Sequence, residues 1–395
     1  MRMVAWVLVL GPAVLFIYAY ALYPALLALL ARRHRPAPGL PTEWPTISIS
    51  LPAYNEQSQI RGALEALLMT DYPPDRRQIL VISDGSTDGT DEIVAEYAGR
   101  GVELLRVVER GGKGAAERAG AARLRGEIVV NTDASIRIHA HALKPLVAAL
   151  ADPSVGVASG RDISVGAGST HANRGETRYV GYEMWIRRLE TRLSGIVGAS
   201  GCFYAIRAPL HRVPLAAHLS RDFASALIAR EHGYRAVSVD EATCLVPRTG
   251  SLRSEYRRKV RTIARGMETL WAKRHLLNPL REGVFAWMLW SHKVSRWLVP
   301  WAAAVAAVGL AVLALHSPVE GLLLGAGLLV VAIGALGWAL AERRRLPRLL
   351  SIPAFLVAGN VAAMHALLKA LRSKDESIWE PTRREVLDPV GPTRR

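Results

Sequence analysis

Four apolar stretches set the limits on what this chain can become. Val4–Leu30 is almost without charge, and about 20 such residues suffice to cross the hydrocarbon core of a bilayer. Trp297–Leu315, Gly321–Leu340 and Leu349–Leu371 follow near the other end, leaving Thr46 to about Asn278 with ordinary soluble composition. The pattern predicts a soluble domain held between bilayer segments. The first stretch ends in Ala31-Arg32-Arg33-His34-Arg35, a flank that the positive-inside tendency keeps in the cytoplasm. A cleaved signal peptide, with Ala19-Tyr20-Ala21 as its cleavage site, would have a shorter apolar core and its basic residues in front. Residues 1–31 therefore read as a retained anchor, and residues 32–45, basic and proline-rich, as a linker to the domain.

Composition agrees with this reading. The 395 residues carry 50 Lys and Arg against 34 Asp and Glu, a formal charge of +16, yet half of them are hydrophobic and the mean hydropathy is +0.16. At roughly 150 residues per domain the chain holds two or three units. Strong basicity alone points to nucleic acid, but most of the basic clusters flank apolar segments, where they orient a membrane protein and meet anionic lipid. No nucleic-acid partner is expected. Cys202 and Cys244 are too few for a disulfide framework or a four-thiolate zinc site, and apolar residues are too plentiful for disorder.

Before the C-terminal stretches, Ser254–Arg274 is amphipathic. Val260, Ile263, Ala264, Met267, Leu270 and Trp271 recur at helical spacing, with Arg257, Arg258, Arg261 and Arg265 elsewhere. A basic amphipathic helix beside a membrane lies in the interface. Phe285–Trp297 reads as a second interfacial segment, so residues 251–296 are expected at the interface and 297–372 in the bilayer. Basic residues flank the last stretch on both sides, in Glu342–Arg348 and in the tail 373–395, and Pro353, Gly359 and Asn360 interrupt it. A re-entrant hairpin and a full span both fit that pattern.

Within residues 46–250, strand-like runs at Ile47–Leu51, Ile79–Ile82, Glu103–Val108 and Ile128–Asn131 alternate with helical patterns at Ile60–Leu68, Asp91–Tyr97 and Ala115–Leu124. That alternation predicts an α/β fold with a mostly parallel, Rossmann-like sheet, whose ligands bind beyond the carboxyl ends of the strands. The four segments found there are Pro52-Ala53-Tyr54-Asn55-Glu56, Asp84-Gly85-Ser86-Thr87-Asp88-Gly89-Thr90, Arg110-Gly111-Gly112-Lys113-Gly114 and Thr132-Asp133-Ala134-Ser135. None is a dinucleotide fingerprint, and Gly112-Lys113-Gly114 lacks the Ser or Thr of a P-loop. Singly, each has a plain structural reading: Asp84-Gly85 is a turn pair, and Ser86, Thr87 or Asp88 a helix cap.

Together, in this order, the four loops resemble the nucleotide-sugar domain of family 2 glycosyltransferases, a GT-A fold. The likeness is greatest to membrane-bound bacterial polysaccharide synthases of the cellulose, chitin, hyaluronan and poly-N-acetylglucosamine type. Gly198-Ala199-Ser200-Gly201-Cys202-Phe203-Tyr204-Ala205-Ile206-Arg207 resembles the acceptor-side loop, and Ser220-Arg221-Asp222-Phe223, with Gly233-Tyr234-Arg235 and Asp240-Glu241-Ala242 beyond it, the acidic motif that carries the base. The resemblance implies that Ala53 and Tyr54 line the nucleobase pocket, Glu56 stands near the ribose, Asp84 recognises uracil and Lys113 contacts the nucleotide or its diphosphate. It implies that Asp133 holds Mg²⁺ or Mn²⁺, with Ser135 where the usual Asp-x-Asp has its second carboxylate. A hard cation keeps waters, so a hydroxyl or a water can complete its shell.

By the same resemblance Asp222 is the general base of an inverting single displacement, with Asp162, Asp240 and Glu241 as competitors for the role. Gly201, Cys202 and Arg221 fall on the acceptor side, Arg221 standing where a second acid often precedes the base. The polymer-channel motif Gln-x-x-Arg-Trp is replaced by Arg261-Thr262-Ile263-Ala264-Arg265-Gly266, whose two arginines, four apart, can reach a diphosphate but offer no tryptophan to stack on a sugar. The expectation is an inner-membrane, multi-pass glycosyltransferase with a cytoplasmic catalytic domain, using a UDP-sugar in exopolysaccharide or cell-envelope synthesis. Its acceptor is a glycan or lipid-linked molecule. Non-processive transfer to a polyprenyl phosphate or glycolipid is the alternative within enzymes, and a catalytically inactive membrane scaffold the alternative outside them.

Overall fold

The computed structural model describes residues 1–31, 39, 41–165, 172–247, 251–341 and 348–372. Most of the proline-rich linker, the Arg343–Arg345 cluster and the basic tail lie outside the described residues. One eight-stranded sheet organises the soluble part. Its strands are β1 (Ile47–Ala53), β2 (Arg77–Asp84), β3 (Val102–Val107), β4 (Ile128–Thr132), β5 (Arg137–Ile138), β6 (Val155–Val165), β7 (Phe203–Arg207) and β8 (Arg235–Pro247). Their spatial order is β3-β2-β1-β4-β7-β6-β8-β5. The first four are mutually parallel, β7 runs against β4 and β6, and β8 returns parallel to β6. Every residue of β1 and β4 is buried, as continuous apolar runs in a sheet covered on both faces require.

Two apolar layers result. Ile49, Leu51, Leu64, Val81, Val130 and Leu146 pack on one face, and Leu80, Ile82, Val129, Ile206, Leu210 and Ile228 on the other. The helix Ile60–Leu68 forms over the residues its periodicity marks, burying Ile60, Ala63, Leu64 and Leu67. Because β1, β2 and β4 run side by side in one direction, their carboxyl ends and the loops after them meet at one edge.

Four helices are long and apolar enough to cross a membrane: Arg2–Leu30, Val284–Ala314, Pro318–Leu340 and Ile352–Arg372. The protein is thus a membrane protein with a soluble domain between its first and second candidate spans. Phe285–Trp297 forms no separate segment; it is the start of the helix Val284–Ala314 and includes a π-turn at Trp290–Val294. Its polar residues have buried partners: the His292 ring nitrogens lie 2.6 Å from Glu190 and 2.5 Å from Glu183, and Arg296 donates to Glu183 at 2.8 Å. The last apolar stretch is one continuous helix, Arg348–Arg372, with Pro353 inside it, rather than a hairpin.

The amphipathic segment forms the helix Leu252–Ala272, begun by Ser251, whose hydroxyl accepts from the Ser254 N–H at 3.1 Å. Val260 and Ala264 pack against Ala362 and Ala366 of the last helix. Tyr256 Oη lies 3.0 Å from His365 Nδ1, and the Lys259 ammonium sits 3.7 Å from the centre of the Phe355 ring. The last helix therefore backs the amphipathic helix on the face away from the arginines described next.

Candidate active site

The segments after β1, β3 and β4, the loop before β7 and the start of the helix Arg221–Glu231 surround a cleft of about 280 Å³. The amphipathic helix closes its remaining side with Arg258, Arg261, Thr262 and Arg265. Most residues singled out from sequence meet here: Glu56, Lys113, Asp133, Ser135, Gly201, Cys202, Arg221, Asp222, Arg261 and Arg265, with Asp162 among them.

Local geometry explains why these loops hold their shape. Asn55 adopts a left-handed φ of 51°, and its side-chain oxygen accepts from the Thr87 N–H at 2.8 Å. Glu56 and Gln57 donate their backbone N–H groups to Thr90 Oγ1 at 2.9 Å and Asp88 Oδ2 at 3.1 Å. The loop after β2 thus braces the loop after β1. Asp84 is buried, and its two oxygens accept from the N–H groups of Gly111 at 2.9 Å and Gly112 at 2.7 Å. That clamp fixes the turn delivering Lys113 at the start of the helix Lys113–Ala121. Ala53, Tyr54 and Asp84 stand behind the cleft rather than in its lining; the Arg110 guanidinium stacks 3.8 Å from the centre of the Tyr54 ring.

At the cleft floor the charges are interleaved. Lys113 Nζ contacts Asp133 Oδ1 at 2.5 Å, and Arg221 Nε lies 3.0 Å from Glu117 Oε2. Burial by itself would lower the Lys113 ammonium, but Asp133, Glu117 and Asp222 around it raise it, so it stays charged. Burial pushes the Glu117 carboxyl up, against the opposing pull of Lys113 and Arg221. Asp222 opens its helix with Oδ1 accepting from Ser220 Oγ, and its other oxygen lies against Gly201, where an added Cβ would come within 2.9 Å. Ser200 is held by both oxygens of Asp162, at 2.7 and 2.8 Å, so the Gly201 loop cannot easily retreat. Asp240 is paired with Arg188 at 2.7 Å, and neither it nor the exposed Glu241 lines the cleft.

The helix that starts at Arg221 is tied to the amphipathic helix at both ends. Ser220 N–H donates to Thr269 Oγ1 at 2.9 Å, and Lys273 pairs with Glu231 at 2.7 Å. The first of these contacts ties the amphipathic helix to the residue two positions before Asp222.

Asp133 and Ser135 offer one carboxylate and one hydroxyl from the same short loop to this cleft. Among the described residues no three His, Cys, Asp or Glu side chains gather closely enough to cage a metal ion. Such a partial shell fits a hard cation that brings most of its ligands as water and phosphate oxygens, as Mg²⁺ commonly does.

Residues 48–212 match the sequence model of Glycosyl transferase family 2. The chain carries a family 2 glycosyltransferase domain. The domain is 38% identical over 98 residues to a dolichyl-phosphate beta-glucosyltransferase of Trichomonas vaginalis, covering 22% of this chain and 29% of that protein. It is 27% identical over 157 residues to a beta-monoglucosyldiacylglycerol synthase of Nostoc sp., covering 38% and 33%. The chain spans less than half the length of the curated relatives it matches. A mannosyltransferase from Pyrobaculum calidifontis, solved in complex with GDP-Man and Mn2+, superposes with a TM-score of 0.69 at 24% identity, over 94% of this chain and 98% of that one. The family 2 domain and its flanking helices thus share a GT-A-like fold with it.

Two cleft residues were not assigned to the site from sequence, although Arg258 was named among the basic residues of the amphipathic helix. Glu117 lies four residues after Lys113 and Arg258 three before Arg261, spacings that put each pair on one helical face. That spacing was the available signal, but neither residue belongs to a turn or loop motif.

Proposed function

We propose that the protein moves one sugar from a nucleoside diphosphate, UDP by the resemblance of its loops, to a hydroxyl of a membrane-embedded lipid acceptor, with inversion. The observation that carries this is the placement of Asp222. Its carboxylate lines a cleft that it shares with an arginine-bearing helix backed by an apolar one. A single carboxylate serves an inverting displacement as the base for the acceptor proton. Ala53 and Tyr54 form the nucleobase side and Glu56 the ribose side. Asp84 acts there by clamping the Lys113 turn, while Lys113, Arg261 and Arg265 grip the diphosphate and Asp133 with Ser135 faces a divalent cation. When bound, such an ion stabilises negative charge on the departing phosphate. Gly201 and Cys202 border the acceptor; Arg221, turned toward Glu117, shapes that side rather than reaching across it.

A lipid acceptor is supported by the absence of a stacking tryptophan in Arg261–Gly266 and by the relatives named for diacylglycerol and dolichyl-phosphate products. The basic flank after the first apolar stretch supports a domain at the cytoplasmic face of the cell membrane, working in envelope glycolipid or polysaccharide assembly. A second reading has specific support in the arginine wall: an acceptor that is itself a lipid phosphate. A phosphate oxygen is already ionised and needs no base, whereas a hydroxyl does. Asp222→Asn separates the two. With a hydroxyl acceptor kcat falls by about 10²–10⁴ while the donor KM stays within a factor of about two; a phosphate acceptor leaves kcat nearly unchanged, and that result would reject the base assignment.

A further inference from the structure

We propose that Lys113 is an exchangeable counter-ion of Asp133, which makes divalent-cation binding in this cleft conditional on the nucleotide diphosphate. The inference rests on the reading of Asp133 as the cation's carboxylate and concerns how access to it is controlled. Lys113 Nζ is 2.5 Å from Asp133 Oδ1, so the ammonium already occupies an oxygen that a metal ion would need. It is the only cation that the structure pairs with Asp133 among the described residues.

The surroundings favour exchange over a fixed pair. The Lys113 backbone is anchored, because Gly111 and Gly112 are both clamped on Asp84. Its four-carbon stem is flexible and its ammonium acts as a point charge without directional demands. Gly114, next in the chain, lies so close to the Ala217 carbonyl that a Cβ would come within 2.6 Å, so the turn cannot move toward that side. Motion is left to the side chain.

Charge then decides the order of events. Asp133, Glu117 and Asp222 act on Lys113, and Arg221 is already paired with Glu117. A divalent ion entering alone would face the Lys113 ammonium across a shared carboxylate, and like charges at that range repel. A nucleoside diphosphate reverses the balance. Its oxygens supply most of the ion's shell and give the ammonium a new anionic partner within reach, so Lys113 leaves Asp133 as the ion arrives. No covalent bond changes in this step.

Mn²⁺ titration of the purified full-length protein, followed by the EPR signal of the unbound ion, tests this without turnover. Wild type should bind Mn²⁺ at least about tenfold more tightly with UDP than without it. Lys113→Met should bind Mn²⁺ without nucleotide at least about tenfold more tightly than wild type, and Lys113→Met/Asp133→Asn should lose that gain. Circular dichroism and thermal midpoints confirm that the variants are folded; should Lys113→Met fail there, Lys113→Gln serves the same comparison. Equal nucleotide-free affinity in wild type and the Lys113 variant would overturn the exchange while leaving the metal reading intact. Absence of binding to wild type with either UDP or GDP present would remove the metal reading, and the exchange with it.

Discussion

Gly201 shows how finely the cleft is set at the scale of a residue. A Cβ there would stand 2.9 Å from Asp222 Oδ2, tighter than ordinary contact, and Asp162 holds the neighbouring Ser200 in place. Gly201→Ala should therefore displace the base rather than the loop. The expected result is a loss of about 10-fold or more in kcat, because sub-ångström to 1 Å misplacement of a reacting group is costly, with the donor KM and thermal midpoint close to wild type. Steady-state kinetics beside a melting curve checks it; unchanged kcat would mean that Asp222 does not act from this position. Lys113, Asp133 and Ser135 were legible as cleft residues because loops after parallel strands are where such folds keep their chemistry, whereas Asp222, Arg261 and Arg265, on helices, were singled out through the family resemblance. Glu117 was not legible as a cleft residue, since its role depends on Arg221, over one hundred positions away, folding back beside it. Asp84 was singled out for uracil recognition, and sequence could not show that both its oxygens are taken by Gly111 and Gly112.

At the scale of elements, the short helix Ala208–His211 carries a pH-dependent contribution to stability. His211 is buried, and desolvation, with Arg221 and Arg212 nearby, pushes its pKa down to about 3 from 6.5. The ring is therefore neutral in the fold, and its carbonyl accepts from Arg221 at 3.2 Å. Between these two values the unfolded chain binds a proton that the folded one refuses. Stability is complete above about pH 6.5 and falls by about 1.4 kcal/mol per unit as pH drops below it. His211→Gln should remove this slope. Denaturant midpoints of wild type and variant, compared from pH 7 to 4.5, should converge as pH falls; parallel curves would mean that the ring takes up its proton without cost. The strands and the amphipathic helix were readable from periodicity, whereas the last apolar helix was not fully so. Its flanking charges left hairpin and span open, and packing of Ala362 and Ala366 on Val260 and Ala264 is a long-range fact that no local pattern carries.

For the whole molecule, domain and membrane helices are joined by a buried polar network. Tyr23 of the first candidate span donates to Glu190 at 2.7 Å, and His292 of the second lies between Glu190 and Glu183. Burial would raise the Glu183 carboxyl, but His292, Arg296 and Lys293 beside it hold it well below the usual range, so its charge persists. Breaking one partner of such a network leaves a buried charge uncompensated, which fixes the domain against the candidate spans. Such a junction would hold the domain beside the bilayer, where the proposed lipid acceptor lies. The direct test of that claim is mass spectrometry of the products when the full-length protein in native membranes is given a panel of UDP- and GDP-sugars. The account predicts one dominant membrane lipid gaining a single hexose or N-acetylhexosamine from a UDP-sugar, absent with Asp133→Asn. A ladder of polymer products, transfer only from GDP-sugars, or no transfer from any donor would contradict it.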